Sequence, residues 1–288
     1  IGAGPAGISA ALYLARGNMN PLLIYDGTGA LEKAEKIENY YGLSTPISGS
    51  ELFETGLSQA KALGVRTVEA QVLGLGGFDT FEIKTTEGTF ESRSVILATG
   101  GKRKAPQIPG LKEFEGRGVS YCAVCDAFFY RGKDVAVLGN SDFALHEAEE
   151  LSNTVGSVTI YTDGPNFSRE PSMEVNTMKI QAIEGDGKVS GLRLGGELKA
   201  TDIESGAFKG AEGVFVALGT AGSGELARQI GAELTEKGNI QVNSSMETTV
   251  PGLFAAGDCT GGLLQIAKAV YEGAQAGISA GKYVRSLK

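Results

Sequence analysis

The stretch Ile1-Gly2-Ala3-Gly4-Pro5-Ala6-Gly7-Ile8-Ser9-Ala10-Ala11-Leu12-Tyr13-Leu14-Ala15 decides the fold. A G-x-G-x-x-G pattern opens a run of small and apolar residues at helical spacing, the arrangement that lets backbone amides at the positive end of a helix approach a pyrophosphate. The third glycine of such a pattern permits close packing of helix on sheet. Downstream, Pro21-Leu22-Leu23-Ile24-Tyr25 is expected to form a strand ending at Asp26, where a carboxylate can accept a hydrogen bond from a ribose hydroxyl. A glycine pattern alone is a weak signal. The β-α-β context and the placed acid make this one a nucleotide-binding fingerprint, against the plainer alternative of a glycine-rich turn that holds nothing. A strand is expected ahead of Ile1, so the chain is expected to be trimmed at this end.

Outward from that unit, residues 50–63 read as a helix, and short strands are expected at Thr67–Leu73, Phe81–Thr85 and Thr89–Ser92. Ser94–Gly100 reads as a buried strand returning to the first sheet. The exposed Lys102-Arg103-Lys104 and the proline-containing run to Gly110 then lead away from it. A second β-α-β unit follows, with a strand at Asp134–Leu138, a turn Gly139-Asn140-Ser141-Asp142-Phe143-Ala144, a helix through Leu151 and a strand at Ser157–Tyr161. Hairpin strands are expected over Lys179–Leu194, and Gly213–Gly219 is expected to close the second sheet. Gly252–Cys259 gives a strand and a turn ending at Gly257-Asp258, ahead of a helix from about Leu264 to Val284. The fold expected is α/β, with two Rossmann-like three-layer nucleotide-binding domains, the second inserted in the first. Residues 1–114 and 245–288 form one and residues 115–244 the other.

Composition bounds the function. A chain of 288 residues suffices for two domains with their own cores, and 42% hydrophobic with 21% charged residues is ordinary for a globular protein. A net charge of -8 disfavours nucleic acid as a partner. Neither a run of membrane-spanning length nor a signal peptide is read, so no membrane partner and a reducing, cytoplasmic setting are expected. The 43 glycines fall mostly at strand-to-helix turns.

Redox chemistry is confined to Cys122-Ala123-Val124-Cys125-Asp126. Two thiols separated by two residues can close a small disulfide, and the neighbouring carboxyl can carry the proton that thiol-disulfide exchange requires. Half of a zinc site is the competing reading, but the remaining cysteine is Cys259 and the single histidine is His146, so no metal is expected. A pair of inert thiols is the other alternative. His146 reads as a surface residue of the second unit's helix rather than a base.

The order of these motifs resembles the low-molecular-weight thioredoxin reductase family of flavoproteins over the whole chain. The marks are Gly2-x-Gly4-x-x-Gly7, Ala98-Thr99-Gly100, Cys122-x-x-Cys125-Asp126 followed by Ala127-Phe128-Phe129-Tyr130, and Gly257-Asp258 before a final helix. The resemblance implies FAD on the first domain. Gly2, Gly4, Pro5, Ala6 and Gly7 would lie at the pyrophosphate, Asp26 at the adenosine ribose, Val72 beside the adenine and Asn39 near the flavin, along with Thr99 and Gly100. It also implies Asp258 on the ribityl chain and Gln265-Ile266-Ala267 at the isoalloxazine edge, where a helix N-terminus favours the negative charge of reduced flavin. In the same way Cys125 would face the flavin, Cys122 would attack the disulfide of thioredoxin, and Asp126 would be the general acid/base. A homodimer is implied as well.

The second nucleotide unit departs from the NADPH-dependent members. Ser141 stands where they have glycine, crowding the approach to a pyrophosphate, and Thr162-Asp163-Gly164-Pro165-Asn166-Phe167 lacks arginines for a 2′-phosphate. The sequence thereby resembles the ferredoxin-dependent flavin thioredoxin reductases. A plant-type ferredoxin near -400 mV and thioredoxin near -270 mV differ by roughly 130 mV, about 6 kcal/mol for two electrons. Ferredoxin delivers electrons singly and a disulfide takes two, so a group that can hold one electron must stand between them, as a flavin can. Because ferredoxins are acidic, Lys102-Arg103-Lys104 with Arg117, Arg131 and Lys133 are expected to form the docking patch. The alternatives are a nicotinamide-dependent reductase with Asp163 on a ribose hydroxyl, a flavin-dependent thiol oxidase, and a non-catalytic flavin-bearing sensor.

Overall fold

The computed structural model describes residues 1–77, 79–101, 107–164, 167, 171–195, 207–219 and 221–287. The chain divides into two compact units, Ile1–Arg103 with Gly222–Lys288, and Lys104–Ala221. The expected divisions stood at 114/115 and 244/245. Leu111 and Phe114 are buried in the core of the second unit, and Ile183 donates its N–H to Pro109 O at 2.8 Å, which draws residues 107–114 into that unit.

The chain enters the first unit through α1 (Pro5–Arg16), β1 (Leu22–Tyr25), α2 (Gly49–Ala62) and β2 (Arg66–Glu69), with β2 parallel to β1. Ser48 caps α2 by accepting from the Glu51 N–H at 3.1 Å, and Phe53, Leu57 and Ala60 form its buried stripe. An antiparallel meander follows, β3 (Val72–Gly76), β4 (Phe81–Thr85) and β5 (Gly88–Ser92), before β6 (Val95–Leu97). The single strand expected over Thr67–Leu73 is therefore two strands in two sheets. After β2 the Ala70 N–H still bonds Tyr25 O at 2.8 Å, and the chain then turns away into the meander.

In the second unit come β7 (Val119–Ser120), the one-turn α3 (Ala123–Asp126), β8 (Asp134–Leu138), α4 (Asp142–Ser152), β9 (Ser157–Tyr161), β10 (Glu174–Asn176), β11 (Lys179–Asp186), β12 (Lys188–Gly195), β13 (Ala207–Gly210) and β14 (Gly213–Val216). A five-stranded parallel sheet has the order β10-β9-β8-β14-β7, and β11-β12-β13 form an antiparallel sheet. Val119, Ala136, Leu138, Val214 and Val216 of the first pack with Ile180, Ile183, Val189, Leu192 and Leu194 of the second. The strand at Gly213, expected to close the sheet, lies inside it between β8 and β7. All four of its residues are buried, as a central parallel strand requires.

The chain returns to the first unit through α5 (Ser223–Gln229), β15 (Leu253–Ala255) and α6 (Ile266–Ser286). Gln229 Oε1 accepts from the Leu75 N–H at 2.9 Å, which fastens α5 to β3 and places the second division before Gly222. β15 runs parallel to β6. Ile1 and Gly2 knit the two strand pairs together, the Gly2 N–H bonding Ile24 O at 2.7 Å and the Ala98 N–H bonding Ile1 O at 2.8 Å. Helices α1 and α6 touch backbone to backbone, since a Cβ on Gly273 would lie 2.0 Å from Ala6 O and one on Gly277 2.6 Å from Ala10 O. Leu253, Phe254 and Leu97 are fully buried beneath them, each worth about 1.5–3 kcal/mol of burial. Among the described residues no helix is long and apolar enough to cross a membrane.

Candidate functional site

Cys122 and Cys125 are joined as a disulfide with Cα atoms 5.4 Å apart. One turn of helix sets this spacing, and Cys122 occupies its N-cap, where Sγ accepts from the Cys125 N–H at 3.2 Å. The surroundings hold the turn from outside. Ser120 Oγ accepts from the Cys122 N–H at 3.1 Å, and Glu147 Oε2, from α4, accepts from the Ala123 N–H at 2.7 Å. Ser120 in turn donates to Asp126 Oδ2 at 2.6 Å. Cys122 is 3% exposed while Cys125 is exposed, so an external disulfide reaches Cys122 only after the atoms covering it move. Val124, Phe128 and Phe129 present an exposed apolar surface beside the pair. Burial, and then the charge of Asp126, push the Tyr130 hydroxyl above its usual range.

In the first unit, the start of α1 has the shape a pyrophosphate needs. A Cβ on Gly2 would lie 2.4 Å from Ala98 O, and one on Gly7 1.7 Å from Gly2 O, so these two glycines are demanded by the protein's own packing. Gly4 is different. Its φ of -70° suits any residue and nothing lies within 4 Å of its missing Cβ, which leaves a cradle that a side chain would fill and a ligand can approach. Neither α1 nor α6 has a side-chain cap or an acid in its first turn, so both leave N–H groups for an anion. Asp26 follows β1 at its C-terminal end and is exposed. Asn39 Nδ2 donates to Gln265 Oε1 at 3.0 Å, which joins two of the residues implied at the flavin. Thr99 shares a short hydrogen bond with Ser223, and Val72 opens β3 in a buried position.

Asp258 sits on a turn clamped by a pair of charges that the sequence reading passed over. Lys268 Nζ donates to Gly257 O at 2.7 Å and to Thr260 Oγ1 at 2.8 Å, and pairs with Glu272 at 3.0 Å. Glu272 Oε2 accepts from the Gly257 N–H at 2.8 Å. The i,i+4 spacing of Lys268 and Glu272 on α6 was the available signal, masked because such pairs usually lie on solvated faces. Burial pushes the Asp258 carboxyl above the usual range, with Lys268 opposing and Glu272 adding to the rise. Gly257, at φ +86°, brings the turn against Ala6 of α1.

The corresponding start of α4 in the second unit differs in its side chains. Ser141 is its N-cap residue and turns its hydroxyl onto Gly219 O, and Asp142 puts a carboxylate in the first turn. Asp163 has φ +55°; its Oδ1 accepts from the Ile180 N–H at 2.8 Å, and Lys179 Nζ lies 3.8 Å from Oδ2. His146, read as a surface residue, is mostly covered, with its side chain 11% exposed and 3.9 Å from Glu150. Arg117, Arg131 and Lys133 each lie over an aromatic ring, those of Phe114, Phe128 and Tyr130. Lys102-Arg103-Lys104 lie outside the described residues. Among those residues no cluster of metal-ligating side chains occurs.

Residues 1–273 match the family model described as pyridine nucleotide-disulphide oxidoreductase. A thioredoxin reductase of Aquifex aeolicus is 37% identical over 275 residues, covering 90% of this chain and 83% of its own. Among solved structures, the atypical thioredoxin reductase TRi of Desulfovibrio vulgaris Hildenborough superposes with a TM-score of 0.91 at 39% identity, covering 99% and 97% of the two chains. A ferredoxin-flavin thioredoxin reductase of Clostridium acetobutylicum gives 0.72 at 32% identity, covering 99% and 96%. With a redox disulfide in a C-x-x-C turn and two nucleotide-binding-type units, the chain belongs to the pyridine nucleotide-disulphide oxidoreductases and, within them, to the low-molecular-weight thioredoxin reductases, an FAD-dependent enzyme family.

Proposed function

We propose that the chain reduces the disulfide of thioredoxin through FAD and the Cys122–Cys125 pair, with electrons from reduced ferredoxin. The observation that carries the reading is the disulfide at the N-cap of α3 with Asp126 held beside it by Ser120. Gly2, Gly4, Pro5, Ala6 and Gly7 hold the pyrophosphate of FAD, Asp26 its adenosine ribose, and Val72 packs by the adenine. Asp258 takes the ribityl chain, with Asn39, Thr99, Gly100, Gln265, Ile266 and Ala267 around the flavin ring. When bound, FAD supplies the electron pair that opens the Cys122–Cys125 bond. Cys122, as thiolate, attacks the thioredoxin disulfide, and the leaving sulfur takes a proton from Asp126. Cys125 then displaces the second sulfur and re-forms the Cys122–Cys125 bond, so the dithiol loses two electrons and two protons and thioredoxin gains both.

Support for ferredoxin comes from the start of α4. A phosphate arriving there would meet the Asp142 carboxylate and the Ser141 side chain, and Asp163 already spends one oxygen on a backbone N–H. The Clostridium relative, whose name pairs ferredoxin with flavin, is in accord. Exposed Tyr13 on α1 and Tyr271 and Ile278 on α6 offer an apolar face for a second copy, and a cytoplasmic homodimer is proposed. The test is a single turnover. Holoenzyme reduced with dithionite and freed of the excess should reduce thioredoxin, and Cys122→Ser or Cys125→Ser should abolish it. Thioredoxin left oxidised by the wild-type dithiol would contradict the reading.

A further inference from the structure

Ser120 ends β7 and is 6% exposed, a buried hydroxyl to which the sequence assigns no role. It touches both ends of the redox motif. Its oxygen accepts from the Cys122 N–H at 3.1 Å, its proton goes to Asp126 Oδ2 at 2.6 Å, and Cys122 O lies at 3.4 Å as a second acceptor. A hydroxyl has one proton to donate, and a charged carboxylate at the shorter distance outcompetes a carbonyl. One lone pair and the single proton are thereby committed, and the carboxylate is tied to the backbone of the attacking cysteine.

We propose that Ser120 is a positioning residue for proton transfer, holding the Asp126 carboxylate in register with Cys122 while sulfur–sulfur bonds exchange. The proposal rests on the proton-carrying role of Asp126 given above. In the step concerned, Asp126 takes the proton of the Cys122 thiol. The thiolate then bonds to one sulfur of the substrate disulfide, that disulfide breaks, and its departing sulfur takes the proton from Asp126. The Ser120 proton never leaves its oxygen, so it enters neither side of the balance. What the hydroxyl supplies is a fixed direction for the carboxylate, which otherwise would have to be ordered at each transfer. The charged and titratable neighbours are Tyr130, which feels the Asp126 charge, and Glu147, which packs from α4 onto the Ala123 N–H at 2.7 Å. Because Glu147 and the Cys122 Sγ contact to the Cys125 N–H also anchor α3, removal of one hydroxyl leaves the turn in place.

The experiment follows thioredoxin reduction by pre-reduced, FAD-loaded enzyme in rapid mixing. Ser120→Ala should slow it about tenfold, the scale of one hydrogen bond to a charged group, and Ser120→Thr should restore the rate to within about twofold. In an Asp126→Asn background, Ser120→Ala should have no further effect, because the group it positions no longer carries a proton. A wild-type rate in Ser120→Ala, or an equal slowing in both backgrounds, would overturn the proposal. A wild-type rate in Asp126→Asn alone would instead sink the assigned role of Asp126, and Ser120 with it.

Discussion

The starts of α1 and α4 answer the same architectural question in opposite ways. Each helix starts at a turn read as a nucleotide fingerprint, α1 at Gly4 and α4 at Ser141, directly after β8. At α1 the turn is bare, with Gly4 facing open space and no acid in the first turn. At α4 Asp142 supplies the negative charge that a phosphate would bring, and Ser141 spends its hydroxyl on Gly219. The two turns therefore present a phosphate with opposite electrostatic surroundings. The second unit's α4 also lends Glu147 to the redox turn.

The contrast is broken most forcefully at Gly4. The Cβ of Gly4→Leu meets no protein atom within 4 Å, so the flavin-free protein should melt at the wild-type apoprotein's temperature while FAD affinity falls by more than about a hundredfold, read by equilibrium dialysis. A retained flavin would mean the cradle is not the site. On the other side, Asp126→Asn should slow thioredoxin reduction on the order of a hundredfold with flavin reduction by dithionite unaltered. Two slowed steps in stopped flow would point to damage in the unit as a whole.

Cys259 gives a pH test of the first unit. Burial pushes its thiol up to about 11 from 9.0, so the folded state holds a proton that the unfolded state releases. Stability should then be unaffected below about pH 9 and fall as pH rises toward 11, by about 2 to 3 kcal/mol at most. Cys259→Ala should remove that decline in denaturant titrations; a decline of the same size in the variant would assign it to other groups. The smallest effect is at α4, where Asp142→Ala should cost about 0.5 kcal/mol by stripping the first turn of its charge. A stabilised variant would mean the acid is kept against the helix's interest.

The nucleotide fingerprint, the redox pair and the order of the two units were legible because glycine spacing, strand period and C-x-x-C are local patterns. Residues 50–63 and the last helix fell within two residues of their observed bounds, since their apolar stripes are continuous. β7, β10 and β13 went unread: strands of two to four residues at sheet edges carry too little periodicity. The clamp of Lys268 and Glu272 on the Asp258 turn and the link from Ser120 to Asp126 are contacts between a helix or strand and a distant or bent segment, visible only when the fold has brought them together. His146 was misread for a related reason, as helical position alone does not say which face another element covers.

One anaerobic assay tests the difference between the two nucleotide units most directly. FAD-loaded enzyme and thioredoxin disulfide are supplied in parallel with reduced ferredoxin, NADPH or NADH, and free thiols are counted over time. Rapid turnover is expected with ferredoxin and none above background with either nicotinamide, because a phosphate at the start of α4 would face the Asp142 carboxylate and the Ser141 side chain, and Asp163 already accepts from the Ile180 N–H. Turnover with NADPH or NADH at a rate matching ferredoxin would contradict it and restore the second unit as a working nucleotide site.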